Sequence, residues 1–236
     1  MENSWDWQFF LQDTGADQTY LEWLMSAWGW TLSVSSLALV VALVTGTVVG
    51  IMRTTPNRSF VVLGNIWTEL FRNIPLLVQI FLWYHVLPAV FHGLRAVPGF
   101  ILVVCALGFF TSARISEQVR AGILSLPSGQ RYAGLALGFS WLQTYRYVLL
   151  PMAFRIVIPP LTTEAMAVVK NSAVAFAVSV TELTMFALQV QEETARGVEV
   201  YLAVTGLYFV SAFALNRLFV AVDTRLRIPA QGGGAH

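Results

Sequence analysis

The chain has 236 residues, 56% of them hydrophobic and 11% charged, with a net charge of +1. Soluble domains carry roughly 25% charged residues, so a water-soluble fold would have to hide nearly all of this apolar surface, and a bilayer is the simpler solvent. The near-neutral charge gives no basic field for nucleic acid, and a single cysteine, Cys105, excludes an internal disulfide.

Residues 1–22 hold Glu2, Asp6, Asp13, Asp17 and Glu22 but no Lys or Arg. A secretory signal begins with a basic region, so this stretch is expected to remain as a periplasmic N-terminal segment. A membrane span needs about 20 mostly apolar residues. Apolar runs predict about five spans, at about 27–52, 70–93, 97–116, 152–180 and 199–221, in one all-α membrane domain over 23–228. The first contains Gly46 and Gly50, four apart on one helix face. Such a pair lets helices approach closely, and it is read as internal packing rather than a dimer contact. The second span is broken near its start by Pro75. Pro159, Pro160, Glu164 and Lys170 interrupt the fourth. Freed carbonyls and charges are costly in lipid, so that helix should face protein or a water-filled path. The tail over 229–236 reads as disordered.

Orientation follows from the basic residues of short loops, which stay cytoplasmic. Arg53, Arg58 and Arg72 follow the first span, and Arg95 stands alone between the second and third. Arg114, Arg120, Arg131, Arg146 and Arg155 follow the third. Before the fifth, Arg196 is outnumbered by Glu182, Glu192, Glu193 and Glu199, and Arg217, Arg225 and Arg227 come after it. The alternation puts the N-terminus outside and the C-terminus in the cytoplasm. Trp5, Trp7, Trp23, Trp28 and Trp30 suit an aromatic belt at the outer edge.

The longest cytoplasmic stretch, about 121–150, is not a bare loop. Pro127-Ser128-Gly129 makes a turn, a helix is predicted from about Gln130 to near Gly138, and another begins at Ser140. Gln143, three residues after Ser140, completes a capping box. Ala133, Gly134 and Ala136 give the short helix a small-residue face that another protein's groove can approach, as a docking element would.

This stretch resembles the permease subunits of bacterial ATP-binding cassette (ABC) importers. Their hallmark is EAA, three residues, Gly, nine residues, then Ile-x-Leu-Pro. Here the register reads Tyr132-Ala133-Gly134, then Gly138, then Val148-Leu149-Leu150-Pro151. The spacing is intact, with Tyr132 in place of the glutamate and Gly134 in place of the second alanine. Glu69-Leu70-Phe71-Arg72-Asn73-Ile74-Pro75-Leu76, Gln118-Val119-Arg120-Ala121, Gly129-Gln130 and Lys170-Asn171-Ser172 resemble motifs of the polar amino-acid branch. The acidic, Trp-rich N-terminus is similar to that of one of the two membrane subunits of glutamate/aspartate importers. The resemblance covers nearly the whole chain and implies a type I importer permease fold with a cytoplasmic coupling helix. It implies as partners two ATP-binding subunits, a second homologous permease (a paralogue, or a second copy) and a periplasmic amino-acid-binding protein, with lipid around the spans. ATP and Mg²⁺ would be bound by the partner subunits and no cofactor by this chain.

The candidate residues fall into three groups. Tyr132, Ala133, Gly134, Ala136, Gly138 and Pro151 are the coupling candidates. Glu164, Lys170, Asn171 and Ser172 are candidates for a substrate path, because an intramembrane charge is a functional hypothesis by default. For Lys170 the alternatives are snorkelling to the membrane edge or pairing with Glu164. Glu69, Arg72 and Pro75 form a gate or a structural anchor, the first two lying three apart on one helix face. A phosphate-binding loop needs Gly-x-x-x-x-Gly-Lys-Ser/Thr. The only lysine, Lys170, precedes Asn171 and has no such context, so the chain is not expected to be an enzyme. His85 and His92 lack further ligands for a metal. A permease for glutamine, arginine or histidine, a secondary transporter and a membrane scaffold are the competing readings.

Overall fold

The computed structural model describes residues 5–226. Glu2, Arg227 and the tail over 229–236 lie outside the described residues. The described chain is helical, joined by short turns and one isolated bridge between Asp13 and Thr19.

After a 3₁₀ turn at Trp7–Leu11, α1 runs from Tyr20 to Met52. It starts at a capping box in which Thr19 Oγ1 accepts from Glu22 N and Glu22 Oε2 accepts from Thr19 N. Next come α2 (Arg58–Asn73) and α3 (Leu76–Phe81). A π turn at Leu82–Val86 carries α3 into α4 (Leu87–Val90). The long α5 spans Gly99–Leu124, and α6 (Ser128–Ala136) and α7 (Trp141–Thr144) follow. A π turn at Tyr145–Leu149 leads into α8 (Leu150–Asn171), which tightens into a 3₁₀ segment at Ser172–Val178. Finally, α9 (Leu183–Thr194) and α10 (Gly197–Leu226) close the fold.

Four helical stretches among the described residues are long and apolar enough to cross a membrane, and a bent pair makes a fifth. That pair, Arg58–Asn73 and Leu76–Val90, turns through 105°. The residue before a proline is pushed to extended backbone, and Ile74 before Pro75 has φ −94° and ψ 130°. The buried Gln79 amide then donates to Phe71 O at 2.8 Å and Ile74 O at 2.9 Å, stapling the corner. The apolar stretch expected over about 70–93 is thus preceded by a helix from Arg58, and the two meet at the corner as separate rods. The fourth apolar stretch is helical from Trp141 to Val178. Helix α9 was not anticipated at all: at twelve residues with Gln191, Glu192 and Glu193 near its end, it is too short and polar to register as a span.

The centre is α1 packed along α5. A Cβ at Gly46 would sit 2.7 Å from Ile115 Cβ, and one at Gly50 2.7 Å from Val119 Cβ. The glycine pair is internal packing, as its spacing suggested. Three apolar clusters stack along the bundle. One holds Phe9, Leu24, Phe186 and Val200, and the middle one Val34, Ala38, Leu107 and Val168. The last, around Ile115, Tyr145, Leu149 and Val157, gathers the C-terminal half of α1 and α5 with the start of α8.

At the N-terminal end, Asp6 pairs with Arg196 at 2.9 Å, and the Arg196 guanidinium lies 5.4 Å over the Phe9 ring. Glu182, fully buried, caps α9 by accepting from Thr184 N (2.9 Å) and Met185 N (3.0 Å), and Tyr208 Oη donates to it at 2.6 Å.

Candidate functional site

At the end opposite the N-terminus, α6 stands as a separate short helix. Its end is a Schellman motif. Gly138, at φ +86°, donates from N to Leu135 O (3.0 Å), and Phe139 N donates to Gly134 O (3.1 Å). The left-handed backbone explains a glycine at that register position. Ser140 then restarts the helix with the anticipated capping box, Gln143 Oε1 accepting from Ser140 N at 2.8 Å. The small-residue face divides. Ala133 and Ala136 are exposed, with Tyr132 at 67% and Leu137 at 76%. Gly134, one helical step round from Ala133, is buried: a Cβ there would meet Thr144 Cγ2 at 2.9 Å. Gly134 thus holds α6 against α7, while Tyr132, Ala133, Ala136 and Leu137 face outward. Pro151 is exposed on the first turn of α8.

Alongside lies the cluster around Glu69 and Arg72. The two pair at 2.9 Å, and Asn73 Nδ2 donates to Glu69 at 2.8 Å. Arg72 also reaches Glu117 of α5 at 3.4 Å. Glu117 in turn holds Arg53 at 2.9 Å, and Arg53 is buried with its whole guanidinium engaged. Nε donates to Asn65 Oδ1 at 2.8 Å and Nη1 to Ser116 Oγ at 3.0 Å. This joins the end of α1 to α2 and α5. Arg53 and Glu117 were not singled out beforehand, and the signal was thin: Arg53 is the first cation after an uncharged run, which speaks equally of orientation.

The third group lies on α8. Glu164 is buried against α5, where Gln118 Nε2 donates to it at 3.1 Å and Arg114 Nη1 stands 4.0 Å away. Glu164 and Asn171, seven residues apart, share one helix face. Lys170 is exposed, turned from that face, and pairs with no carboxylate among the described residues. The pairing of Lys170 with Glu164 therefore does not form, and Arg114 takes that place. Ser172 is buried and donates back to Val169 O at 2.7 Å. Pro159 and Pro160 sit inside α8 and free the carbonyls of Arg155 and Ile156. The arrangement has opposed charges and amides on an α5–α8 seam, without nucleophile–base geometry, and no His/Cys/Asp/Glu group fit for a metal occurs among the described residues.

The chain is 38% identical to the glutamate/aspartate import permease protein GltJ of Escherichia coli K12, over 99% of this chain and all of that protein. It is 38% identical to the probable glutamine ABC transporter permease protein GlnM of Bacillus subtilis, over 79% of this chain and 85% of that one. For the glutamine transport system permease protein GlnP of E. coli K12 the figures are 32%, 84% and 90%. Among solved structures, an amino acid ABC transporter crystallised with histidines superposes with a TM-score of 0.76 at 29% identity, covering 87% of this chain and 95% of that one. An inward-facing MetNI methionine ABC transporter shares the fold at a TM-score of 0.68 and 22% identity, over 86% and 97%. These neighbours give the all-α arrangement its class, the type I importer permease fold, and make the chain a transporter subunit whose ATP hydrolysis resides in separate subunits. Residues 38–228 match the sequence model of the binding-protein-dependent transport system inner membrane component, and the chain belongs to that family.

Proposed function

We propose that this permease carries acidic amino acids, glutamate and aspartate, as one half of a path completed by a second, homologous permease. The observation that carries the substrate is the end-to-end match to a glutamate/aspartate permease, whereas the glutamine permeases align with 79–84% of the chain. Residues 5–37 lie before the family match, yet Asp6, Phe9 and Tyr20 are built into the bundle. The N-terminal segment over 1–22 is periplasmic, the domain over 23–228 spans the inner membrane, and the C-terminus is cytoplasmic.

The face of Tyr132, Ala133, Ala136 and Leu137 docks an ATP-binding subunit, with Gly134, Gly138 and Pro151 fixing its pose. When paired ATP-binding subunits close on ATP and Mg²⁺, α6 moves and the bundle opens outward to a periplasmic binding protein. Hydrolysis restores the inward state, an alternating-access cycle. The α5–α8 seam at Glu164 and Asn171 lies beside the path. Lys170, an exposed cation, attracts the substrate carboxylate, and Glu69, Arg72 and Pro75 anchor the bent second span.

The test is uptake of labelled glutamate into vesicles holding the reconstituted importer with ATP inside and binding protein outside. Competition by aspartate but not glutamine is expected, and competition by glutamine alone would move the chain to the glutamine permeases. In the same vesicles Lys170→Gln is expected to slow acidic-substrate uptake. Unchanged uptake and preference would remove Lys170 from the path.

A further inference from the structure

Beside the coupling segment lies a groove of about 350 Å³, lined among others by Ile51, Phe60, Trp141, Leu142 and Leu150. Its volume is within the range of small-ligand clefts, about 300–1,000 Å³, and the surface it presents is apolar. Its floor is fixed, because Tyr145 Oη donates to Thr54 O at 2.6 Å and ties α7 to the end of α1.

Two features say what fills it. First, the outer stripe of α1, formed by Leu37, Val40, Val44 and Val48, is exposed along its length and continues at helical spacing into Ile51 and Thr55 of the groove. A stripe of that kind on a spanning helix faces hydrocarbon, so the groove is where a lipid-facing surface ends. Second, the rim is cationic. Arg146 is exposed and lines the groove, Arg131 lies 5.7 Å over the ring of the lining Trp141, and the exposed Arg58 follows the lining Asn57 in sequence. Among the described residues, no carboxylate lines the groove. Cations and an amphipathic tryptophan beside an apolar slot are complementary to a headgroup that is negative and to the acyl chain below it.

We infer that this groove binds an anionic phospholipid of the cytoplasmic leaflet, one acyl chain against Ile51 and Leu142 and the phosphate between Arg58 and Arg146. The inference rests on the proposed orientation. It places a lipid at the junction through which α6 and α7 meet α1, so lipid composition would bear on coupling.

The test uses the whole importer in nanodiscs carrying trace photoactivatable phosphatidylglycerol or phosphatidylcholine, with crosslinks mapped by mass spectrometry. A cation near the surface favours anionic lipid by about fivefold. Labelling of peptides over 51–60 and 141–150 is expected to prefer phosphatidylglycerol by at least about that factor. The Arg58→Gln/Arg146→Gln variant should lose the preference, and Arg58→Lys/Arg146→Lys should keep it. Equal labelling by the two lipids would reduce the groove to ordinary boundary surface, and no labelling there would mean that a protein partner covers it. Either result overturns the inference. Glutamate uptake by the same importer reconstituted in vesicles reads the transport function separately, so the two fail independently.

Discussion

Replacing Gly46 by alanine tests how tightly α1 and α5 are set. The new Cβ would lie 2.7 Å from Ile115 Cβ and 2.8 Å from Ser112 O, where ordinary contact starts at 3.4 Å. Neither obstacle is a flexible side-chain tip, so the helices must part by several tenths of an ångström. Overpacking of this kind costs about 1–3 kcal/mol, against which alanine gains up to about 1 kcal/mol of helix propensity. Gly206 in α10 supplies the control, because nothing lies within 4 Å of a Cβ there. Gly206→Ala should therefore be neutral or stabilising, and Gly46→Ala less stable than it by about 1–3 kcal/mol. Gly50, one turn on, meets Val119 in the same way. A single separation of the helices relieves both sites, so Gly46→Ala/Gly50→Ala should cost less than the sum of the two. Reversible unfolding in mixed micelles titrated with sodium dodecyl sulfate measures all four variants. If Gly46→Ala proves as stable as Gly206→Ala, the crossing is looser than the geometry states and the reasoning fails.

Other expectations follow from the same contacts. A double-mutant cycle on Arg53→Met and Glu117→Gln should show a coupling of about 1–2 kcal/mol, charge-assisted but reduced because Glu117 keeps 35% of its side chain exposed; a value near zero would make the ion pair incidental. Gly134→Leu should leave the bundle folded but displace α6 from Thr144, so substrate-stimulated ATPase activity should fall several-fold while unstimulated hydrolysis persists. Retained stimulation would show that the α6–α7 contact does not set the docking pose. Burial holds the Glu182 carboxyl above its ordinary value of 4.5, against the hydrogen bonds it accepts. The folded protein then binds that proton more tightly than the unfolded chain does, so this contribution is present below 4.5 and lost as pH rises through the folded value. Thermal melts of the wild type and Glu182→Gln across that window should differ in slope, and parallel profiles would refute the assignment.

Composition alone exposed the class of this protein, because an uncharged run such as Trp23–Met52 has few other uses. The capping box at Ser140, the helix end near Gly138 and the close-packing glycines were also legible, since each depends on residues within one or two turns. What the sequence concealed depends on distant partners. Arg53 finds Glu117 sixty-four positions away. Glu164 takes Gln118 and Arg114 rather than Lys170, because Lys170 is rotated off its face of α8. The Gln79 staple and the helix at Leu183–Thr194 escaped for a related reason: one is an ordinary polar residue until the corner exists, and the other is held by a buried carboxylate, Glu182, that reads in sequence as an exposed loop charge.

The corner at Pro75 bears on how the protein is made. Leu76–Val90 is 15 residues, about 22 Å of helix, short of a hydrocarbon layer about 30 Å thick. Insertion machinery that weighs one segment at a time would hold it weakly. The turn over 91–98 is brief, and α5 beyond it is a strong span. The two are therefore expected to enter the bilayer together as a hairpin, with α5 carrying its weaker neighbour. Helix α2, set at 105° to this segment, would be fixed only once Arg53 has met both Asn65 and Glu117.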